Sequence, residues 1–139
     1  MSSDTKRSKV ELAGQAGDTF SKLFYETLDK KRHAVSNLYM DLATLVWNGN
    51  PHCTKEAIGK FYESLPVSRT EIKCVDAQPV FEEVVQQTTV LVTVSGNITF
   101  TGRTSKLFTE SIMLTTQSGP NGNVWKIVSD NFRFHDTVM

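Results

Sequence analysis

Glu110, Lys126 and Asp130 are charged residues set among strand positions that otherwise carry Val, Ile, Leu and Phe. A carboxyl group in an apolar setting acquires the raised pKa that general acid–base catalysis uses, and Tyr25, Tyr39 and Asp41 are further groups able to polarise a carbonyl or move a proton. These residues follow no recognisable catalytic order. Glu110 and Lys126 fall where adjacent strands would set opposite charges side by side, so an ion pair between them is expected. His33, His52 and His135 lie in a helix, a loop and the chain end without metal-ligand spacing, and Cys53 and Cys74 lack C-x-x-C spacing, so the thiols are expected to stay reduced and structural. No serine or cysteine nucleophile motif and no phosphate-cradling glycine loop occurs. Asn97-Ile98-Thr99 matches a glycosylation acceptor, but no secretory signal accompanies it. The reading is of a chain with no catalytic residue, no cofactor and no metal site.

The elements around these residues are legible as periodicities. Strict alternation over Thr88 to Ser95, Phe108 to Thr115 and Val124 to Phe134 predicts three strands. One side of them reads Val90, Val92, Val94, Phe108, Ile112, Leu114, Val124, Val128, Phe132 and Phe134, which makes a core. The other reads Thr89, Leu91, Thr93, Thr109, Ser111, Met113, Trp125, Ile127, Ser129, Asn131 and Arg133. A side meant only for water would carry many Lys and Glu. One built of Thr, Ser and a few large apolar groups suits a second flat surface.

Before the strands, Ala13, Ala16, Phe20, Leu23, Phe24 and Leu28 recur at steps of three and four and predict a helix whose first turns Gly14 and Gly17 weaken. Asp29 is placed to cap a second helix from Lys30 to Leu38. A strand from Ala43 to Trp47 ends at the turn signal Asn48-Gly49-Asn50, and Thr54 caps a third helix that Pro66 stops. Ile72 to Val80 opens the large sheet, and segments at Gly96-Asn97, Gly102 and Ser118 to Gly122 are expected to separate its members. This order predicts an α+β domain with three helices on the concave face of a curved antiparallel sheet. Residues 10–139 make a single domain in this reading, and residues 1–9 are expected to lack structure.

Fifteen basic and fifteen acidic residues among 139 leave a formal charge of zero. Nucleic-acid or anionic-membrane binding draws its affinity from a basic excess or stripe, and neither is visible. Lys6 and Arg7 precede no apolar run of signal length, and no stretch approaches the roughly 20 apolar residues of a membrane span, so the chain is read as intracellular, without specific nucleic-acid or membrane binding.

Several runs together carry a more specific message: Leu38-Tyr39-Met40, Leu45-Val46-Trp47-Asn48-Gly49, Ser64-Leu65-Pro66, Asp76-Ala77-Gln78-Pro79 and the whole stretch from Trp125 to Phe134. In this order and spacing, from about Phe20 to Phe134, the chain resembles the nuclear transport factor 2-like family, and within it the branch of small subunits of the heterodimeric messenger RNA export receptor. The resemblance implies a cone-shaped fold whose sheet packs on that of the receptor's large subunit, and a protein shuttling between nucleus and cytoplasm by way of the nuclear pore. The family's homodimeric carrier uses acidic residues at its cavity mouth to bind Ran in its GDP form; the matching positions here hold Asn48, Thr101 and Arg103, which removes the charges and reverses one. Where the carrier presents an aromatic to Phe-Gly repeats of pore proteins this chain has Ala13, so repeat binding is expected mainly from the partner. The fold also hosts isomerases and dehydratases, which keeps a small-molecule enzyme as an alternative beside a homodimeric Ran or protein carrier.

Asp76 shares a strand side with Ile72, Cys74 and Gln78 in this reading. A carboxylate drawn out of water there needs a cation, expected from the large subunit, with Arg133 as the alternative within the chain. The expected interface comprises Asp76, Gln78, Leu91, Thr93, Ser111, Met113, Ile127, Ser129, Asn131 and Arg133.

Overall fold

A computed structural model describes residues 3–80 and 88–135. The chain runs through helix α1 (Ser3–Lys30), a 3-10 helix (Arg32–Leu38), strands β1 (Tyr39–Trp47) and β2 (Asn50–Cys53), helix α2 (Lys55–Glu63), and strands β3 (Ser68–Val80), β4 (Thr89–Phe100), β5 (Lys106–Gly119) and β6 (Gly122–Phe134). The six strands form one sheet in the order β2-β1-β6-β5-β4-β3. The α+β, cone-like architecture is as expected, with one correction: β1 runs parallel to β6, so the sheet is mixed. The intervening chain from β1 to β6 is long enough for a parallel return, which no local pattern announces.

α1 buries Ala13, Phe20, Phe24, Tyr25 and Leu28 against the sheet, whereas Leu23, assigned to that stripe, turns outward and is half exposed. The helix begins at Ser3, inside the stretch expected to lack structure. Its glycine at position 17 has a packing reason: a Cβ there would lie 2.6 Å from the Ala77 Cβ of β3, so helix and strand approach too closely for any side chain.

The second helix is shorter and tighter than expected. Asp29 does not cap it; it stays in α1 and accepts from Ser68 Oγ (2.6 Å), Thr70 N (2.7 Å) and Thr70 Oγ1 (3.0 Å), tying α1 to β3. Arg32 then reaches the carbonyls of Tyr62 and Leu65 at 2.8 and 2.9 Å and that of Pro66 at 2.7 Å, satisfying the end of α2. Thr54 does cap α2, its hydroxyl accepting from Ala57 N.

Gly96 and Asn97 lie inside β4, and the connection to β5 falls at residues 101–105. A Cβ on Gly96 would come within 2.2 Å of the Glu71 carbonyl oxygen, beside the bulge between Ile72 and Cys74. The glycine therefore marks a close strand approach in a bent sheet.

Candidate partner-binding face

The strand register settles which side chains share the outer, convex side of the sheet. Pro51, Val46, Asn131, Ser111, Thr93 and Asp76 are partners from strand to strand and form one row across all six strands; Cys53, Thr44, Ser129, Met113, Leu91 and Gln78 form the next. Arg133, Thr109, Ser95 and Cys74 make a shorter third row. At roughly 4.8 Å between strands, such rows span about 24 Å, a width suited to a second domain rather than to a small ligand. Nine of the ten expected interface residues lie in these rows. Thr44, Val46, Pro51 and Cys53 were missed because β2 and the β1–β6 pairing were missed; the alternation of Thr44 and Val46 with buried Leu45 and Trp47 was the available signal.

Ile127 is the exception. It is fully buried, while Val128, assigned to the core, is 36% exposed, and Val124 is 44% exposed. Ser129 pairs with Met113 but Ile127 with Leu114, so Val128 is an extra residue in β6. A bulge inverts the side-chain phase of everything before it. Ile127→Ala is accordingly expected to cost about 2–5 kcal/mol in a urea melt, and Ser129→Ala within about 0.5 kcal/mol. The opposite ranking would return Ile127 to the surface.

Asp76 closes its row at the β3 edge, exposed, beside a shallow depression formed with Ala77, Gln78, Leu91 and Thr93. Cys74 Sγ is 3.7 Å from its carboxylate, and among the described residues no lysine or arginine forms an ion pair with it. Arg133 stands three strands away, on β6. Within these rows the charged side chains are thus Asp76 at the β3 edge and Arg133 three strands away.

The groups that resembled catalytic machinery lie on the other side, in the core. Glu110 and Asp130 are 1% and 3% exposed. Tyr25 donates to Glu110 Oε1 at 2.7 Å, and Tyr39, itself 2.7 Å from the Tyr62 hydroxyl, donates to Asp130 Oδ2 at 2.5 Å. The expected Glu110–Lys126 pair does not form: the strand register sets Glu110 opposite Phe132 and Lys126 opposite Thr115, and the Lys126 ammonium caps the Asn37 carbonyl. The remaining oxygens, Glu110 Oε2 and Asp130 Oδ1, are buried and find no donor if both groups are ionised. The two carboxyl groups are neighbours in the core, and one proton placed between them would satisfy both of these oxygens. Burial first, then the neighbouring Asp130, pushes Glu110 well above the ordinary carboxylate range. Burial also raises Asp130, against the lowering effect of hydrogen bonds from Glu110 and Tyr39. All three tyrosines are raised, by burial before the carboxylates. Catalysis needs a substrate beside these groups, and the described surface cavities have no wall among the five. The cluster is a sealed polar island whose hydrogen bonds join α1, β1, α2, β5 and β6.

Among the described residues no three metal-ligating side chains gather. His52 stacks on Phe61 at 4.1 Å, and His135 meets Thr109 Oγ1. Cys53 and Cys74 are both free and exposed. Asn48 lies in the β1–β2 turn and Thr101 and Arg103 in the β4–β5 turn, at one end of the strands, while Ala13 is buried.

Residues 16–134 match the nuclear transport factor 2 (NTF2) domain. The chain belongs to the NTF2 family, among the NTF2-related export proteins. It is 48% identical over 131 residues to NTF2-related export protein 2 of Mus musculus, covering 94% of this chain and 92% of the relative. Among solved structures it is similar to NTF2 of Cryptosporidium parvum (TM-score 0.73, 23% identity, covering 88% of this chain and 94% of that one). It is similar also to a chain of the C. albicans Mtr2–Mex67 M domain complex (TM-score 0.69, 15% identity, covering 91% and 98%). Those two likenesses establish the NTF2-like fold, and the export-protein relatives place this chain with transport factors.

Proposed function

We propose that this chain is the small, non-enzymatic subunit of a heterodimeric messenger RNA export receptor, and that its convex sheet covers the NTF2-like sheet of the large subunit. The observation that carries this reading is the pair of side-chain rows crossing all six strands, small and mostly uncharged, with Asp76 at the edge and no cation for it among the described residues. A flat, low-charge face loses little on leaving water, and a single carboxylate without a partner selects a surface that brings a cation. An NTF2-like chain assembled with a second protein, as in the Mtr2–Mex67 complex, supports the same arrangement. Contact with Phe-Gly repeats of pore proteins is assigned to the large subunit, and the pair shuttles between nucleus and cytoplasm through the pore.

Affinity capture of the tagged chain from cell extract, with mass spectrometry of what co-purifies, tests the reading. Recovery of a larger NTF2-domain subunit in equal amount is expected; recovery of only the chain itself would favour a homodimer and overturn it. The subunit alone is further expected not to bind RNA. With net charge zero there is no counterion-driven affinity to draw on, so a low-salt titration of single-stranded RNA should stay flat. Binding at about micromolar strength that falls steeply with salt would contradict this.

A further inference from the structure

The convex side of the sheet carries one side chain unlike its neighbours. Along β1, Ala43, Leu45 and Trp47 are buried, so Leu42, Thr44 and Val46 point the other way. Leu42 is 85% exposed, more than any other large apolar side chain among the described residues. It does not stand alone. Leu42 and Val128 both fall between the Tyr39–Ile127 and Thr44–Ser129 pairings, and from Ser129 the register passes to Met113 and on to Leu91. Four apolar residues on the successive strands β1, β6, β5 and β4 thus form a stripe across the outer side. One exposed leucine means nothing by itself, whereas apolar groups contiguous on a face mark a contact. Because β2 pairs with β1 only from Thr44 to Trp47, Leu42 ends the stripe at the margin of the sheet. Asp76 lies at the opposite edge, four strands and about 19 Å away.

We propose, on the basis of the heterodimer reading, that Leu42 is the apolar anchor of that assembly: it enters an apolar recess on the large subunit's sheet while Asp76 meets its cation at the far edge. The first reason is shape. The rows beside it carry Thr44, Ser129, Ser111 and Thr93, so the longer leucine would hold a flat second sheet away unless that sheet is recessed opposite it. A recess takes the whole side chain out of water, a gain of more than about tenfold in affinity. The second reason is orientation. With unlike contacts at opposite edges, a partner turned end for end would set Asp76 in the apolar recess and its own cation against Leu42, and both charges would be desolvated without pairing.

The test measures the full chain against the full-length large subunit recovered by affinity capture, using surface plasmon resonance. Leu42→Lys should weaken binding at least about tenfold while its urea melt keeps the parental midpoint, because the leucine is already in water in the free chain. Leu42→Ser, which adds no charge, should fall in the same direction, and Leu42→Met should stay within about threefold of the parent because it refills the recess. Leu23→Lys changes a half-exposed leucine on α1, away from the sheet face, and should bind as the parent does. Parental affinity in Leu42→Lys and Leu42→Ser, with Asp76→Arg still abolishing capture, would overturn the anchor and leave the heterodimer reading intact. Parental affinity in all three, or no large subunit to capture, would remove both. Equal losses in Leu42→Lys and Leu23→Lys would overturn the anchor as well. So would self-association of the free chain that Leu42→Lys abolishes with large-subunit affinity unchanged, which would make the leucine a contact between copies.

Discussion

Asp76→Arg is expected to abolish capture of the large subunit while leaving the circular dichroism and solubility of the free chain unchanged. The side chain is exposed at the sheet edge, and among the described residues its hydrogen bond is with Cys74 Sγ at 3.7 Å, so the free fold is expected to tolerate its replacement. In the proposed assembly the same position would lose water and meet a cation. Arginine sets two positive charges together there, and disrupting a buried pair costs about 3–5 kcal/mol, a loss of at least about a hundredfold in affinity. A compensating change of the partner's arginine or lysine to aspartate should restore part of the binding, which misfolding cannot do. Parental affinity in Asp76→Arg would defeat the assignment of this face.

The second large effect concerns pH and comes from the core. Burial raises both Glu110 and Asp130, so the folded pair is expected to keep a proton at a pH where the unfolded chain has released it. The groups facing the pair are the hydroxyls of Tyr25 from α1 and Tyr39 from β1, with Tyr62 from α2 behind Tyr39, and all three remain neutral across the range concerned. The sign follows from linkage. A carboxyl group whose folded value is raised contributes stability that is full below its unfolded value near about 4.3, and that contribution is lost as pH climbs through the folded value. Between those limits the unfolded chain binds one proton fewer, so the pair lowers stability by about 1.4 kcal/mol for each pH unit. Glu110→Gln keeps the shape, accepts from Tyr25 and donates to Asp130 without needing a proton. Urea melts from pH 5 to pH 8 should show stability falling more steeply with pH in the parent than in Glu110→Gln, and the variant gaining most at the alkaline end. Parallel pH profiles would show that no proton is shared.

Period two in β4 and β5 and period three to four in α1 were enough to name the core positions Val90, Val92, Val94, Phe108, Ile112, Leu114, Phe20 and Phe24, because burial on one side of a regular element is a local property of the chain. The same alternation named nine of the ten convex residues, since a side chain that does not face the core of a sheet faces its other side. The order of Trp47, Asp76 and the Trp125 to Phe134 run was sufficient to identify the family. Non-local decisions were out of reach. That Val128 is the extra residue of β6 depends on its partner strand, and this single bulge put Ile127 in the core, while the β5–β6 register set Lys126 opposite Thr115, away from Glu110. The parallel pairing of β1 with β6 added Thr44, Val46, Pro51 and Cys53 to the face, although the 74 residues from 48 to 121 lie between those strands. Glu110 and Asp130 read as an ion-pair member and a catalytic candidate until the fold set them together with no cation between them. A sequence displays each group's charge and phase; which groups share a desolvated volume is fixed only when the sheet closes over α1 and α2.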